Sequence, residues 1–593
     1  MLKLFLKIIK YYGQERKLKI TMFMLLSVFA GLLEFVGISL IYPILLLVLE
    51  PQTITNNSYI QHIVQIFDIQ QAIMLSVILG ILTVCLFITK DIIMILFTYL
   101  QNRFIVKWKN DINNRIMQNY IYAPYENIQA IKNHDKIYDV TTLTSNVFEI
   151  FVMRFFILIS NSIIVFLILS LIIIQFRFAA IIVSCLIVLG LFLLNKIFKD
   201  KTTKLAPEMV KYSILNNSAV IENINSLKEI RIFGAEQHFL DKFKKIQKRN
   251  NEIITENSFY SSIPPYVIEI FMILVLVILA IFAAYQNLDN HYVIIADYGL
   301  LVTIAIRIAP LLNRIQTAMN NIRFAKNSAS LIVDKYESGI LDNVIKIQKN
   351  TDKINFSNEI VFEHVSFNYK NCSEKVLQDV SFKIKRGEFV GILGLSGAGK
   401  STVANIIMGL LNVTSGNFKI DKININEENI YGLRDIVGYV AQEINIINSD
   451  YRENVAFGEE NINDKRVIEV LEQAQLLKMV EEKGGIYAKV SELSQGQKQR
   501  LMIARALYRN PEIIIFDEAT SSLDVVTENE IVEMLTKLKG EKTIIGITHR
   551  LSTVKKCDKL LYLKDGIVSD SGTFDELESR YSDFKKLVNL SKI

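Results

Sequence analysis

Cysteine is scarce: positions 85, 185, 372 and 557 are the four in 593 residues. They lie far apart and without metal-ligand spacing, which argues against a disulfide framework and suits reducing cytosol or lipid. Charge is scarce too. Asp, Glu, Lys and Arg make up only 21% of the chain against 51% hydrophobic residues, and mean hydropathy is +0.30. That balance is high for a soluble protein and points to membrane spans. The net charge of +6 is small for the length and gives no electrostatic case for a nucleic-acid partner. A chain this long exceeds one core, so several domains are expected.

The apolar residues are gathered in runs. Leu4, Phe5, Ile8, Ile9 and Tyr12 fall at helical spacing with Lys3, Lys7 and Lys10 between them. This reads as a basic amphipathic helix on the cytoplasmic membrane surface. A signal peptide is the alternative, but the apolar run that follows, 20–49, is too long and lacks a small-residue cleavage site. Further runs lie near 72–100, 147–176, 178–198, 266–284 and 292–312. Each is near or above the roughly 20 residues a bilayer needs. Six spans are expected, with both termini on one side. Lys and Arg crowd 3–19, 103–115 and 196–249 and are missing from 50–70 and 285–291, which makes that side cytoplasmic.

The connections differ. Gln175-Phe176-Arg177 is read as a tight outer turn. The polar, helix-patterned stretches after spans two and four are read as helices that run on into the cytosol. They would turn back near 128–140 and 216–232 and touch the C-terminal half. Residues 59–67 are apolar at helical spacing, as a small outer helix or as an ordered loop packed on the spans. The expected domains are a six-span membrane domain at 1–325, a charged linker at 326–359, and residues 360–593. In the last, short β-like runs alternate with helical patterns, as in an α/β domain with a buried sheet.

In that half, Gly394-Leu395-Ser396-Gly397-Ala398-Gly399-Lys400-Ser401 fits the P-loop pattern G-x-x-x-x-G-K-[ST]. A strand over 389–393 should lead into it, and a helix from Thr402 to about position 411 should leave it. Glycines let backbone N–H groups turn inward on a phosphate chain, and the helix N-terminus adds partial positive charge. Lys400 would reach the β- and γ-phosphates of ATP, and the Ser401 hydroxyl would sit on Mg2+. A Gly-rich turn before a helix is the bland alternative. Residues 513–516 form an apolar strand ending in Asp517 and Glu518. Asp517 would hold Mg2+ and Glu518 would polarise the attacking water.

Between them lies Leu493-Ser494-Gln495-Gly496-Gln497-Lys498-Gln499-Arg500. This resembles the signature of ABC transporters, LSGGQ followed by basic residues. The resemblance covers nearly the whole chain. It implies a six-helix membrane domain of exporter type joined to an α/β nucleotide-binding domain, with ATP hydrolysis coupled to transport. By the same resemblance Tyr369 stacks on adenine, Gln442 contacts Mg2+ and the membrane domain, and His549 contacts the γ-phosphate. Ser494, Gly496 and Gln497 belong to the surface that meets the nucleotide of a second subunit. Two departures stand out: Gln495 replaces the first signature glycine, and the segment 488–492 is shorter than the family pattern. A chain with one cassette is a half-transporter, and a homodimer is the simplest assembly. A channel or regulator on the same fold would need no complete catalytic set. A soluble cassette acting on nucleic acid is excluded by the spans, and an importer normally carries its cassette on a separate chain.

Isolated charges in spans are costly and mark function. Glu34, Lys90, Glu269 and Arg307 lie about 15 to 18 residues from their outer span ends, so they share a layer roughly 22–27 Å deep. Arg154 lies slightly deeper and Arg314 two turns below Arg307. The bland reading is ion pairing of Glu34 or Glu269 with Arg307. The sharper one is a phosphate site, since arginine offers a planar fork. The stretches 305–315, Ala123-Pro124-Tyr125 and 33–37 resemble the branch that includes the flippase of lipid-linked oligosaccharides in bacterial protein N-glycosylation. That implies a polyprenyl-pyrophosphate-linked saccharide moved across the bacterial inner membrane, with a peptide, lipid or drug exporter as runner-up. Glu518→Gln is expected to abolish steady-state ATP hydrolysis while leaving ATP binding intact. Wild-type turnover in the purified variant would remove Glu518 as the base.

Overall fold

The computed structural model describes residues 1–13, 16–49, 72–286, 291–339, 354–369, 374–442, 444–517, 525–548, 550–582, 584, 585 and 588; at some helical positions, chiefly 175–189, it describes backbone alone. The expected outer helix or loop at 59–67 lies outside these residues. Two compact units form, one from Met1–Ala123 with Ile131–Ile345, the other from Pro124–Ala130 with Lys346–Ile593.

The first unit is helical. In chain order come α1 (Leu2–Tyr12), α2 (Lys17–Ser39), α3 (Ile41–Leu49) and α4 (Ala72–Tyr122). The short α5 (Tyr125–Gln129) falls in the second unit. After α6 (Asn133–Tyr138) come two π-helical stretches, Asp139–Leu143 and Asn146–Val152. Next are α7 (Met153–Asn225), α8 (Leu227–Ile232), α9 (Glu236–Gln286), α10 (His291–Phe324) and α11 (Lys326–Glu337). With 51 residues, α4 is about 75 Å long against a hydrocarbon core of about 30 Å. The long helices therefore overrun the bilayer, as their polar ends require.

Among the described residues, five stretches are long and apolar enough to cross a membrane: Lys17–Leu49, Met74–Tyr122, Asn133–Ile174, Glu236–Ile278 and Ile295–Phe324. The fourth expected span, 178–198, has helical backbone, but most of its side chains lie outside the described set. Residues 175–177, expected to form a turn, also carry helical backbone. Yet Val210 and Ile214 pack against the cluster that holds Phe148 and Phe151. A straight rod would separate residues 151 and 210 by almost 90 Å at about 1.5 Å per residue. The chain therefore reverses within α7.

The N-terminal helix forms where the sequence reading places it. Part of its apolar surface packs on protein, with Phe5, Ile8 and Tyr12 buried, while Leu2 and Leu6 stay exposed. Phe5 stacks on Phe155 at 4.4 Å, Tyr11 stacks on Tyr336 of α11 at 4.3 Å, and Trp108 Nε1 donates to the Tyr12 carbonyl at 2.9 Å. Lys7 pairs with Glu337 at 2.7 Å. An amphipathic pattern specifies an apolar surface to cover, and either lipid or a neighbouring helix satisfies it.

The second unit is built on two sheets. A four-stranded sheet has the order β2 (Leu377–Lys385), β1 (Glu359–Phe367), β4 (Ser415–Ile420), β5 (Ile423–Asn424). A six-stranded sheet has the order β10 (Ile567–Gly572), β9 (Lys559–Lys564), β3 (Phe389–Gly394), β8 (Thr543–Ile547), β7 (Ile513–Asp517), β6 (Val437–Val440). From β9 to β6 the neighbours are parallel. Residues 389–394 are all buried and 543–547 likewise, the mark of strands covered on both faces.

Trp108 is fully buried. Trp108→Ala should cost about 3–5 kcal/mol and free α1, read as a lower melting temperature and faster proteolysis near residue 12. A variant as heat-resistant as the parent would show that α1 is not anchored there.

Candidate functional site

Strand register assembles the nucleotide end of the second unit. Ile392 on β3 pairs with Ile547 on β8, and Ile547 pairs with Asp517 on β7. Asp517 thus stands level with the end of the P-loop strand and two strands away, about 10 Å at normal spacing. Val440 pairs with Phe516, so the exposed Gln442 follows at the same end. Carboxyl ends of parallel strands form the ligand crevice of open α/β sheets. Glu518 and His549 lie outside the described residues, directly after Asp517 and Thr548.

Two glycines of the loop are fixed by close approach. Gly394 has φ of 151°, and a Cβ there would meet the Leu563 carbonyl oxygen at 2.2 Å. Gly399 has φ of 98°, and its Cβ would meet Leu377 Cδ2 at 2.6 Å. Leu395, Ser396 and Gly397 are exposed at the loop crest, with Ala398 buried beneath them. The following helix is Lys400–Ile407, so it starts two residues earlier and ends sooner than expected. Lys400 and Ser401 therefore sit in its first turn, where free N–H groups and the helix dipole favour an anion. Thr402 is buried behind them. Lys400 Nζ donates to the carbonyls of Gly394 at 2.8 Å and Leu395 at 3.0 Å, bracing the loop from inside. Tyr369 is half-buried with its ring edge-on to Phe367 at 5.0 Å.

The signature is a helix start. Ser494 caps the helix Gln495–Tyr508 in a capping box: the Gln497 N–H donates to the Ser494 hydroxyl at 3.3 Å, and the Ser494 N–H donates to Gln497 Oε1 at 3.0 Å. The Gln497 side chain is thus engaged in its own cap. Gln495 and Gly496 lie in the first turn, and neither has positive φ, so no glycine is demanded at 495. Ser494 and Gln495 are exposed. The short stretch ahead of the signature is tied to the chain beyond Gln442: the Arg452 N–H donates to the Ile486 carbonyl at 3.0 Å, and the Val490 N–H to that of Ser449 at 3.1 Å.

Sequence reasoning missed Tyr439. Burial pushes its phenol up to about 12, and the Asp517 carboxylate and Tyr125 of α5 add to the shift. The tyrosine therefore stays neutral beside the Mg2+ ligand proposed for Asp517. Alternation along β6 would have placed Tyr439 on one face, but only the fold brings α5 to it.

A second centre lies among the spans of the first unit. Lys90 Nζ donates to Glu34 Oε2 at 2.6 Å and lies 2.8 Å from Asp91 Oδ1. Arg307 Nε is 3.6 Å from Glu34 Oε1, and its guanidinium lies 4.3 Å from the Phe87 ring centre. Glu34 and Gly37 share a face of α2, Phe87 and Lys90 a face of α4, each pair at three-residue spacing. A Cβ at Gly37 would come within 3.0 Å of the Phe87 ring, so the glycine makes room for it. Glu34 and Lys90 are buried. Of the other expected members, Glu269 and Arg314 are exposed, and Arg154 is half-buried with its Nε lacking a hydrogen-bond partner among the described residues. Phe87 was not foreseen, although its spacing from Lys90 was visible.

Comparison with known proteins agrees with this architecture. The family described as "ABC transporter transmembrane region" matches residues 19–311, and the one described as "ABC transporter" matches 377–521. An "ATP-dependent lipid A-core flippase" of Coxiella burnetii is 30% identical over 366 residues, covering 60% of each chain. A "Lactococcin-G-processing and transport ATP-binding protein" of Lactococcus lactis is 32% identical over 391 residues, 63% of this chain and 53% of that one. The matched stretches thus span between about half and three fifths of these relatives. The solved structure of a bacterial Atm1-family exporter with ATP bound shares the fold, with a TM-score of 0.75 at 20% identity over 98% of this chain and 99% of its own.

Gly394→Ala should abolish nucleotide binding, because its Cβ cannot coexist with the Leu563 carbonyl. Loss of ATP-induced thermal stabilisation with retained expression is the expected result, and normal stabilisation would show that the loop tolerates the change.

Proposed function

The chain belongs to the ABC transporter family, and from that premise we propose that it is an ATP-driven exporter or flippase. It would act as a homodimer in the bacterial inner membrane, with both termini and the nucleotide domain cytoplasmic. Its cargo would be an amphipathic anion, most specifically a polyprenyl-pyrophosphate-linked saccharide.

On the ATP side, the P-loop N–H groups and Lys400 hold the phosphate chain. Asp517, Ser401 and Gln442 would hold Mg2+, which fits a carboxylate, a hydroxyl and an amide at one crevice and neutralises charge on the transferred phosphoryl group. Glu518 orients and polarises the attacking water, and His549 contacts the γ-phosphate. One P-loop face leaves that phosphate open to solvent. A second copy would close it with its exposed helix N-terminus at Ser494 and Gly496.

The observation that carries the cargo reading is the state of Arg307. Glu34 takes its hydrogen bond from Lys90, so Arg307 meets it by charge and without a hydrogen bond. Its guanidinium is stacked on Phe87 and its side chain is 36% exposed. Among the described residues its terminal nitrogens make no hydrogen bond, which leaves a fork open to phosphate. The lipid A-core relative supports a lipid-borne anion, whereas the lactococcin relative keeps a peptide cargo as the competing outcome.

In liposomes, polyprenyl-pyrophosphate saccharides should stimulate ATPase above peptides and drugs. Arg307→Ala should raise the half-stimulating concentration about 10- to 100-fold, the worth of a charge-assisted contact. Arg307→Lys should recover only part, because an ammonium lacks the fork. Normal flipping by a stable Arg307→Ala protein would defeat the assignment. For the dimer, Ser396→Cys with Ser494→Cys, after replacement of the native cysteines, should crosslink between subunits when ATP is bound. Crosslinks confined to one chain would remove it.

A further inference from the structure

We propose that Glu34 is a resident counter-anion of the Arg307 site: it holds Arg307 while the site is vacant, yields it to an incoming phosphate, and by pairing with it again favours release. The inference rests on the reading of Arg307 as a phosphate receptor and concerns how firmly that receptor grips.

The two contacts of Glu34 are unequal. Its Oε2 accepts from Lys90 at 2.6 Å, within ordinary hydrogen-bond range, while its Oε1 stands 3.6 Å from Arg307 Nε, beyond that range. Glu34 is therefore anchored by Lys90 and attracts Arg307 by charge alone. Arg307 is in turn steadied by Phe87 and needs no carboxylate to keep its place. Each partner has its own anchor, so the link between them is the one that can open without dismantling the site. Charge is balanced as well: Lys90 and Arg307 face Glu34 and Asp91, two cations against two carboxylates. Asp91 is paired with Lys90 at 2.8 Å, whereas Glu34 is buried and stands 3.6 Å from Arg307, so its field is felt directly by any anion there. A buried carboxylate beside a cationic fork lowers the affinity for phosphate in proportion to the charge the phosphate carries. Tight binding would impede turnover, and this carboxylate sets a limit to it.

The test uses the full-length protein in phosphatidylcholine vesicles, with ATPase titrated by farnesyl diphosphate, farnesyl monophosphate and farnesol. Glu34→Gln keeps the acceptor for Lys90 and removes the charge. It should lower the half-stimulating concentration about tenfold for the diphosphate, less for the monophosphate and not at all for farnesol. Maximal stimulated turnover should fall together with it. A merely structural Glu34 would lower stability and turnover for all three without a shift graded by ligand charge, and that result overturns the proposal. So does a raised half-stimulating concentration for the diphosphate. Glu34→Asp withdraws the carboxylate from Arg307 and should shift the same values in the same order by a smaller factor. It decides the matter if Glu34→Gln does not fold, and an ungraded response there also overturns the proposal. If wild-type protein responds to farnesyl diphosphate no more than to farnesol, the phosphate receptor itself falls. If wild type responds and Arg307→Ala loses the response while Glu34→Gln matches wild type, only the counter-anion falls.

Discussion

Parallel pairing of β3, β8 and β7 is the constraint on which the nucleotide end depends. The ladder Ile392–Ile547–Asp517 fixes three strand ends at one level, from loops far apart in sequence. Buried on both faces, these strands cannot slip by one residue without turning their ends. The P-loop inherits its shape from that level. Gly394 passes against the β9 carbonyl of Leu563 and Gly399 against Leu377 of β2, so the phosphate cradle is moulded by neighbouring strands as much as by its own residues.

Among the membrane helices a different rule governs. Ionised side chains there are tolerated only with partners, because isolated charge in hydrocarbon is expensive. Glu34 and Lys90 meet that demand with a short hydrogen bond, and Phe87 supplies a face on which Arg307 rests. Gly37 makes the arrangement possible by leaving space for the ring. Arg307 meets Glu34 by charge, its Nε 3.6 Å from Oε1, with no hydrogen bond between them.

The connection out of the membrane domain is ordered by aromatic contacts. Tyr11 and Tyr12 of α1 both pack on Tyr336 of α11, and Lys335 of the same helix pairs with the buried Asp139 that Tyr120 also contacts. The helix that leads away from α10 is thereby held by the N-terminus and by the π-helical region at once. Charged composition had made this stretch look like a plain linker.

The local sequence determined a good deal by itself. The P-loop, the strand ending in Asp517 and the signature were legible because each is a contiguous pattern whose chemistry depends on neighbouring residues. The apolar runs were legible because a bilayer imposes a length, and five appear as spans among the described residues. That Glu34, Lys90 and Arg307 stand level was legible too, since it follows from the rise per residue. Which charges meet was not. Glu269 was expected at the same level, yet it is exposed and in no ion pair among the described residues. The same holds for α1, whose Phe5 stacks on Phe155 and whose Tyr12 carbonyl accepts from Trp108. Rise along an axis is a property of the chain, whereas the rotation of each helix about that axis is set by the side chains it packs against, and only the tertiary structure supplies those.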